Sequence, residues 1–348
     1  MKLTISSIGI IFIFLSCGSY AQEMKIEYIG NAAEQEGMHV WGSSPIMDQD
    51  GRVHLYAAQW STASQTNFSG WYKDCEIGHY VADSPEGPFE YLGVAVPDRD
   101  SLFNSPHNPT ISYIDGHYVL CFIVNENSKL STQRIVMYVA DDLNDNWRPA
   151  KGAEPDGTIL RKPADTTIWN HKARLGVSNP TLIKFKGKYQ LYHKSVIPRK
   201  GKGGAYNYGV AIADQLEGPY KIHPDRVTSK EMTLEDSYAF SMNDSVFMIS
   251  RDFGATLGNS GGGLLWRSSD GYYFPEENTK RAYEDLEHYV GSEFLENATA
   301  HRGKKHGHLE RAQLLFIDGK PAYLYLATGV QVKPGYGSSS HVFKIRFE

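Results

Sequence analysis

The stretch that decides the fold is HNPTISYIDGHYVLCFIV, residues 107 to 124. It has a polar start, a short apolar segment, the pair Asp115-Gly116 and a second, aromatic-rich segment. Asp-Gly between two apolar segments is a strong signal for a tight hairpin turn, because both residues tolerate the positive φ angles of such turns. The stretch therefore predicts two antiparallel β-strands.

Four other stretches follow the same plan. They are GSSPIMDQDGRVHLYAAQW from Gly42, SNPTLIKFKGKYQLYHKSV from Ser178, EDSYAFSMNDSVFMISRDF from Glu235 and ERAQLLFIDGKPAYLYLATG from Glu310. Most are followed by a third strand, a tight turn and the start of a fourth strand, as in EIGHYVADSPEGPF, YGVAIADQLEGPY and LLWRSSDGYYF. Five repeats of a four-stranded unit predict an all-β fold, a five-bladed β-propeller.

The two ends of the chain are expected to close this ring. The fifth unit has its third strand in HVFKIRF at the C-terminus, and the segment MKIEYIG, residues 24 to 30, can supply the missing fourth strand. Pairing these segments would protect two otherwise open strand edges. We therefore predict one propeller domain over residues 22–348.

The predicted long loops all fall on one face of the propeller. The connections between the first and second strands and between the third and fourth strands are short. The others are long and cover 61–74, 93–107, 150–178, 194–205, 251–262, 276–309 and 328–340. Long loops in a compact domain are usually functional, so we expect a binding pocket on this face, with the first residues of the innermost strands as its floor.

Residues 1–21 read as an export signal. Lys2 precedes the apolar segment ISSIGIIFIFLS, and SYA before Gln22 fits a signal-peptidase site. FLSCGS around Cys17 also resembles a bacterial lipobox, so a soluble exported protein and a lipid-anchored one stay open. From the export signal we expect a protein of the periplasm or the outer membrane, or a secreted one. No segment is long enough for a transmembrane helix.

The composition limits which classes of partner and cofactor we expect. The formal net charge of -5 argues against a general nucleic-acid binder. Cys75 and Cys121 are the cysteines beyond the signal; we expect two half-buried thiols in strands, with one disulfide as the alternative. Without a CxxC pair or zinc-type spacing, we predict neither a metal site nor a cofactor.

The segments HNPTISYIDGHYVLCFI and VADSPEGPF resemble hairpins and turns of the five-bladed propeller glycoside hydrolases, of which family 43 is the largest. The resemblance covers nearly all of the mature chain and implies the fold and a glycosidase activity. Where family 43 places its three carboxylates, this chain has Ser44, Thr110 and Ser178. The chain is more similar to family 117, which acts on algal oligosaccharides with differently placed acids and a histidine, but it has no room for that family's helical N-terminal extension.

Acids do occur at the start of the innermost strands of blades four and five, namely Glu235, Asp236 and Glu310. Glycoside hydrolysis needs two carboxyl groups on either side of the scissile bond. We predict that Glu310 and one of Glu235 or Asp236 form this catalytic pair. The alternative is structural, with ion pairs between Glu310 and Arg311 and between Asp236 and Arg251.

Further residues are candidates for sugar binding. His107, Asn108 and Asn179 can either bind hydroxyls or serve the structure. Arg251 and Arg311 are expected to shape the subsite, and Trp41 and Trp60 are either a stacking platform or core. The basic loops PRKGKGG, 198 to 204, and HRGKKHGHLER, 301 to 311, predict an anionic ligand.

Together these features predict an exported glycosidase that acts, in exo fashion, on oligosaccharides from plant or algal polysaccharide. Two alternatives remain: a carbohydrate-binding propeller without catalysis, and a glycoside phosphorylase that uses basic residues to hold phosphate.

Overall fold

All five predicted hairpins form, and each supplies the two innermost strands of an antiparallel sheet. The computed structural model describes residues 9–12, 23–96, 104–143, 146–199, 202–301 and 307–347. At the turns, Asp115 and Gly116 have φ angles of 51° and 85°, and Asp318 and Gly319 have 52° and 73°. These positive angles are the ones that Asp-Gly was expected to adopt, so the predicted turns are confirmed.

The strands of the described chain group into five blades. Near the N-terminus, β1 (Gly9–Phe12) pairs with β2 (Glu23–Asn31), and β2 pairs with a strand from the other end of the sequence. Blade one contains β3 (Met38–Met47), β4 (Val53–Ser61), β5 (Glu76–Ala82) and β6 (Glu90–Val94). Blade two contains β7 (Asn104–Ile114), β8 (His117–Glu126), β9 (Lys129–Ala140) and the short outer strands β10 (Arg148–Pro149) and β11 (Thr158–Leu160).

The remaining three blades follow the same order from the inside outwards. Blade three contains β12 (Ser178–Phe185), β13 (Lys188–Arg199), β14 (Lys202–Ala213) and β15 (Lys221–Ile222). Blade four contains β16 (Glu235–Met242), β17 (Ser245–Arg251), β18 (Gly263–Ser268) and β19 (Lys280–Tyr283). A small pair, β20 (Thr299–Ala300) with β23 (Val330–Gln331), flanks blade five, whose strands are β21 (Glu310–Ile317), β22 (Lys320–Thr328), β24 (Ser339–Phe347) and β2.

The blades form a closed ring. The innermost strands contact one another in the order β3, β7, β12, β16, β21 and back to β3. A separate hydrophobic cluster fills each of the five spaces between neighbouring blades. This arrangement confirms the five-bladed β-propeller, because each sheet buries its two apolar faces against the sheets on either side.

The two ends of the chain close blade five as predicted. Strand β2 pairs with β24 from Met24 opposite Phe347 to Asn31 opposite His341. Ile26, 1 % exposed, packs from β2 into the cluster between blades four and five. Gly9–Phe12 runs along the outer edge of β2. Cys17 and the predicted cleavage site before Gln22 lie outside the described residues, so export and lipidation remain predictions.

Three sequence-based expectations need correction. The predicted loop 194–205 is wrong, since β13 and β14 continue as a long hairpin to Arg199 opposite Lys202. The outer strand of blade four begins at Lys280 rather than at the segment GYYF. The predicted loop 276–309 contains two short helices, α1 (Leu286–Val290) and α2 (Ser292–Glu296), and the Asp285 carboxylate caps the first by accepting from the His288 amide.

The cysteines and the helices also relate to the predictions made from the sequence. Cys75 and Cys121 are both buried, and no disulfide joins them. In the part of the chain that the structure describes, no helix is long and apolar enough to cross a membrane.

Candidate functional site

Every innermost strand carries the same backbone irregularity at its pocket end. In each, the register with the second strand shifts near the first residues, and one residue inside the bulge has a positive φ. These five residues, called the floor ring below, are Gly42 (64°), Asn108 (51°), Asn179 (50°), Asp236 (56°) and Arg311 (58°). Gly, Asn and Asp adopt this conformation most readily, so four of the five positions carry residues suited to it.

Hydrogen bonds link the floor ring. The Asn108 side-chain amide donates to Asn179 Oδ1 at 3.2 Å, and the Asn179 amide donates to Asp236 Oδ1 at 2.5 Å. Arg311 packs against Gly42, where a Cβ atom would lie 2.9 Å from Arg311 Nε. Hydrogen bonds thus join the floor-ring residues of blades two, three and four, and a close approach joins those of blades five and one.

A cavity of about 240 Å³ lies above the floor ring. Its lining residues come from all five blades and the loop after β4: Trp41, Trp60, Phe68, Trp71, Asn108, Leu130, Gln133, Leu175, Ser178, Asn179, Lys194, Tyr206, Glu235, Asp236 and Glu310. The predicted acids and four of the predicted binding residues are among them. The structure thus brings together Glu235, Asp236 and Glu310, as the sequence analysis expected.

The ion pairs differ from those the sequence suggested. Arg251 Nη1 lies 2.7 Å from Glu310 Oε1 and 3.3 Å from Glu235 Oε2. Asp236 accepts from Asn179 instead of pairing with Arg251. Arg311 donates to the carbonyl oxygen of Pro109, 2.9 Å away, rather than to Glu310. The expected pairs were wrong because the bulge turns consecutive side chains of a strand in different directions.

The shared arginine limits how far apart the two glutamates can lie. Both carboxylate oxygens contact the same Arg251 nitrogen, so the sum of 2.7 and 3.3 Å gives an upper limit of about 6 Å between them. The side chains of Arg251 and Glu310 are 6 % and 3 % exposed, whereas that of Glu235 is 16 % exposed. The pair is therefore buried at its Glu310 end and open to the cavity at its Glu235 end.

Lys194 brings a cation to the cavity wall. Its Nζ lies 3.4 Å from Glu235 Oε1 and 5.4 Å from the centre of the Tyr206 ring. Burial alone would lower the pKa of Lys194, but the Glu235 carboxylate and neighbouring groups raise it above its ordinary value. Lys194 therefore stays charged inside the cavity.

Three predicted binding residues do not line the cavity. His107 is fully buried, and its ring nitrogens contact the Ser105 carbonyl at 2.7 Å and Gln133 Nε2 at 3.2 Å. Burial lowers the pKa of His107 to about 4, so it is a neutral residue that positions Gln133. Arg251 and Arg311 lie behind the wall.

The two described histidines of the loop before β21, His301 and His308, contact other side chains. His308 Nδ1 accepts from Arg251 Nη2 at 3.0 Å, and the His301 ring packs against that of His39. Within the described ranges, no group of three or more His, Cys, Asp or Glu is placed to hold a metal ion. Lys304, Lys305 and His306 lie outside those ranges, so attraction of an anionic ligand by this loop remains a prediction.

The aromatic wall is larger than the sequence suggested. Trp41 and Trp60 are 6 % and 1 % exposed and pack together, with Phe68 and Trp71 beside them. Phe68 and Trp71 were missed, although aromatic residues in the long loop 61–74 were a usable signal. Trp41 and Trp60 are thus both core residues and part of the cavity wall.

The three positions where family 43 has carboxylates carry other polar groups. Ser44 Oγ donates to Gln313 Oε1 at 3.0 Å and accepts from the Ile111 amide at 3.0 Å. Thr110 is buried beneath the floor ring, and Ser178 lines the cavity. The acids of this site come from blades four and five instead.

Comparison with solved structures supports the fold. A family 117 glycoside hydrolase of the marine bacterium Zobellia galactanivorans superposes with a TM-score of 0.65 at 16% identity, over 92% of this chain and 90% of that one. An exo-1,5-α-L-arabinanase from a bovine ruminal metagenomic library gives 0.56 at 13% identity, over 91% and 95%.

A family 43 β-xylosidase/α-arabinofuranosidase from a compost microbial metagenome gives a TM-score of 0.55 at 12% identity, over 91% of this chain and 94% of that one. No protein-family model and no curated protein matches the sequence. At such low identities the likeness concerns the propeller fold, which is shared with several glycoside hydrolases.

Proposed function

We propose that the protein is an exported glycoside hydrolase that acts on oligosaccharides from plant or algal polysaccharide. The observation that carries the proposal is one cavity that is lined both by Glu235, Asp236 and Glu310 and by an aromatic wall that includes Trp41 and Trp71. Carboxylates can act on a glycosidic bond while an aromatic face stacks on the sugar ring. The presence of glycoside hydrolases among the structural neighbours supports the same function.

The size of the cavity favours exo action. Its volume of about 240 Å³ lies below the range of roughly 300–1,000 Å³ that is usual for larger ligands. A single sugar unit fits such a space better than an internal stretch of polymer. The enzyme would therefore remove units from chain ends.

The carboxylates can be assigned different roles. Arg251 at 2.7 Å favours the ionised form of Glu310, which suits a nucleophile or base. Glu235 has longer ionic contacts and faces the cavity, so it or Asp236 is the proton donor. A limit of about 6 Å between oxygens of Glu235 and Glu310 is nearer the spacing of about 5–5.5 Å in retaining enzymes than the 6.5–9.5 Å of inverting ones.

The proposal is tested by incubating the protein with neutral, sulfated and uronic-acid oligosaccharides and measuring the sugars released. We expect single units from one class of substrate, and release by Glu310→Gln that is slower by about two to four orders of magnitude. Release that requires phosphate would indicate phosphorolysis instead. For an active substrate, the configuration of the first product, followed by NMR, decides between retention and inversion.

One observation favours a second candidate, a carbohydrate-binding propeller without catalysis. Glu235 contacts Lys194 and Arg251, Glu310 contacts Arg251, and Asp236 accepts from Asn179. Each of the three acids thus has a partner within the protein, whereas hydrolysis requires one of them to act as a proton donor. Calorimetric binding of an oligosaccharide that is never cleaved would support this candidate over the hydrolase.

A further inference from the structure

Arg311 is a buried cation in an unusual position. It is 0 % exposed and occupies the one floor-ring position that is neither Gly, Asn nor Asp, with a φ of 58°. A long side chain is disfavoured in this conformation, which persists only where the surroundings enforce it. Its Nη2 donates to the Pro109 carbonyl oxygen at 2.9 Å.

Most of the Arg311 guanidinium makes no hydrogen bond to the described residues. Within the described part of the chain, neither Nε nor Nη1 of Arg311 has a hydrogen-bond partner. Asp236, in the same ring, is the acid that most favours the charged form of Arg311, but burial outweighs it and lowers the pKa of Arg311. Since arginine remains charged even so, a nearly unpaired charge is buried here, which is costly.

Two more buried donors without a hydrogen-bond partner among the described residues belong to the innermost strands of blades two and five. Counting two residues along the strand from each floor-ring member gives a second layer that includes Ser44, Thr110 and Gln313. Ser44 Oγ bonds Gln313 Oε1, which leaves the Gln313 amide nitrogen as a donor without a partner among the described residues. Thr110 Oγ1 is also without one and follows Pro109, whose carbonyl binds Arg311.

A guanidinium, an amide N–H and a hydroxyl together form the donor set of an anion site. The site lies behind the cavity wall, since Arg311, Thr110 and Gln313 do not line the cavity. Above it, hydrogen bonds from Asn108 to Asn179 and from Asn179 to Asp236 join the floor-ring residues of blades two, three and four.

We propose that the channel enclosed by the innermost strands binds a small inorganic anion of chloride size beneath the floor ring, between the Arg311 guanidinium, the Gln313 amide and the Thr110 hydroxyl. The anion neutralises the buried charge and so stabilises the folded protein. It is a resident ion and is independent of the sugar in the cavity above.

The test uses the intact protein dialysed into sodium gluconate, with chloride or bromide then replacing gluconate at constant ionic strength. We expect a saturable rise in melting temperature with either halide, because a ligand that binds only the folded state stabilises it. Crystals grown in bromide should show an anomalous peak within hydrogen-bond distance of Arg311 Nε or Nη1. Arg311→Met should lose the response, whereas Arg346→Met, at an exposed ion pair with Glu27, should keep it.

Two results would overturn the proposal. A melting temperature that is the same in gluconate, chloride and bromide, with no bromide peak in the channel, would mean that water alone satisfies these donors. A rise caused by glucuronate but not by halide would assign Arg311 to an acidic substrate instead. Both results come from the wild-type protein, so the test stands even where Arg311→Met fails to fold.

Discussion

Glu310→Gln separates the catalytic from the structural role of the best-buried acid in the cavity. The substitution keeps the shape of a side chain that is 3 % exposed, and the amide oxygen can still accept from Arg251 at about the present 2.7 Å. What is lost is the negative charge. If Glu310 is the nucleophile or base, turnover should fall by about two to four orders of magnitude, the usual contribution of such a group.

The expected cost in stability is much smaller. A charge-assisted hydrogen bond contributes about 1.5–3 kcal/mol and a neutral one about 0.5–1.5 kcal/mol, so the substitution should cost about 1–1.5 kcal/mol. Arg251 keeps its contact with Glu235 at 3.3 Å, which limits the loss. Since domains are stable by about 5–15 kcal/mol, the variant should remain folded, with a melting temperature lower by no more than about 2–5 °C.

The assay measures kcat on the identified oligosaccharide beside a thermal melt of each protein. Glu217→Gln is the matched control, because Glu217 is also ion-paired, 2.6 Å from Arg148, but lies in the turn after β14 on the face opposite the cavity. It should lose a comparable amount of stability and keep turnover within about twofold. Near wild-type turnover in Glu310→Gln would refute the catalytic reading and leave Glu310 as the structural partner of Arg251.

Three further predictions follow from the same contacts. Trp71→Ala should raise KM about 2- to 12-fold with little change in kcat, because aromatic packing contributes about 0.5–1.5 kcal/mol; an unchanged KM would remove Trp71 from the sugar site. Ile26→Ala should cost about 2–5 kcal/mol in urea unfolding, whereas Glu27→Ala on the same strand should cost about 0–1 kcal/mol; equal costs would contradict packing of β2 in blade five. Hydrogen bonding from Arg148 lowers the pKa of Glu217 from 4.5 to about 2, so its stabilising effect should be complete above pH 4.5 and disappear as the pH falls to about 2; Glu217→Gln and wild type should then converge in stability at the acid end.

The fold was predictable because its signals are local and repeated. A polar start, an apolar strand and a turn such as Asp115-Gly116 indicate each hairpin. Five copies of this pattern are compatible with few architectures. The hairpin of β13 and β14 was missed because Lys202, Gly203 and Gly204 read as a loop, although the strands on both sides continue to pair up to them. Helix α1 was missed because five residues are too few to show helical periodicity.

The positions of the acids were predictable, but their partners were not. Glu235, Asp236 and Glu310 follow from the alignment of one hairpin with the next, so the sequence could place them at the same end of the channel. Which cation each contacts depends on directions that the bulges set across blades, and no spacing in the chain encodes them.

The floor ring shows how the repeated fold and the chemistry of the site are related. Its members stand at one equivalent position in every repeat, and the residues there, Gly42, Asn108, Asn179, Asp236 and Arg311, differ in charge while sharing one backbone conformation. A repeated bulge thus allows the chemistry of each blade to change without altering the ring that holds it. Blade five has an arginine at this position. Arg311 can occupy the strained position only where blade one supplies a glycine, because a side chain at residue 42 would contact the guanidinium. The residue at the floor-ring position of one blade is therefore coupled to the residue at that position in the next blade. The chemistry of the site depends on neighbouring repeats together and not on any single motif.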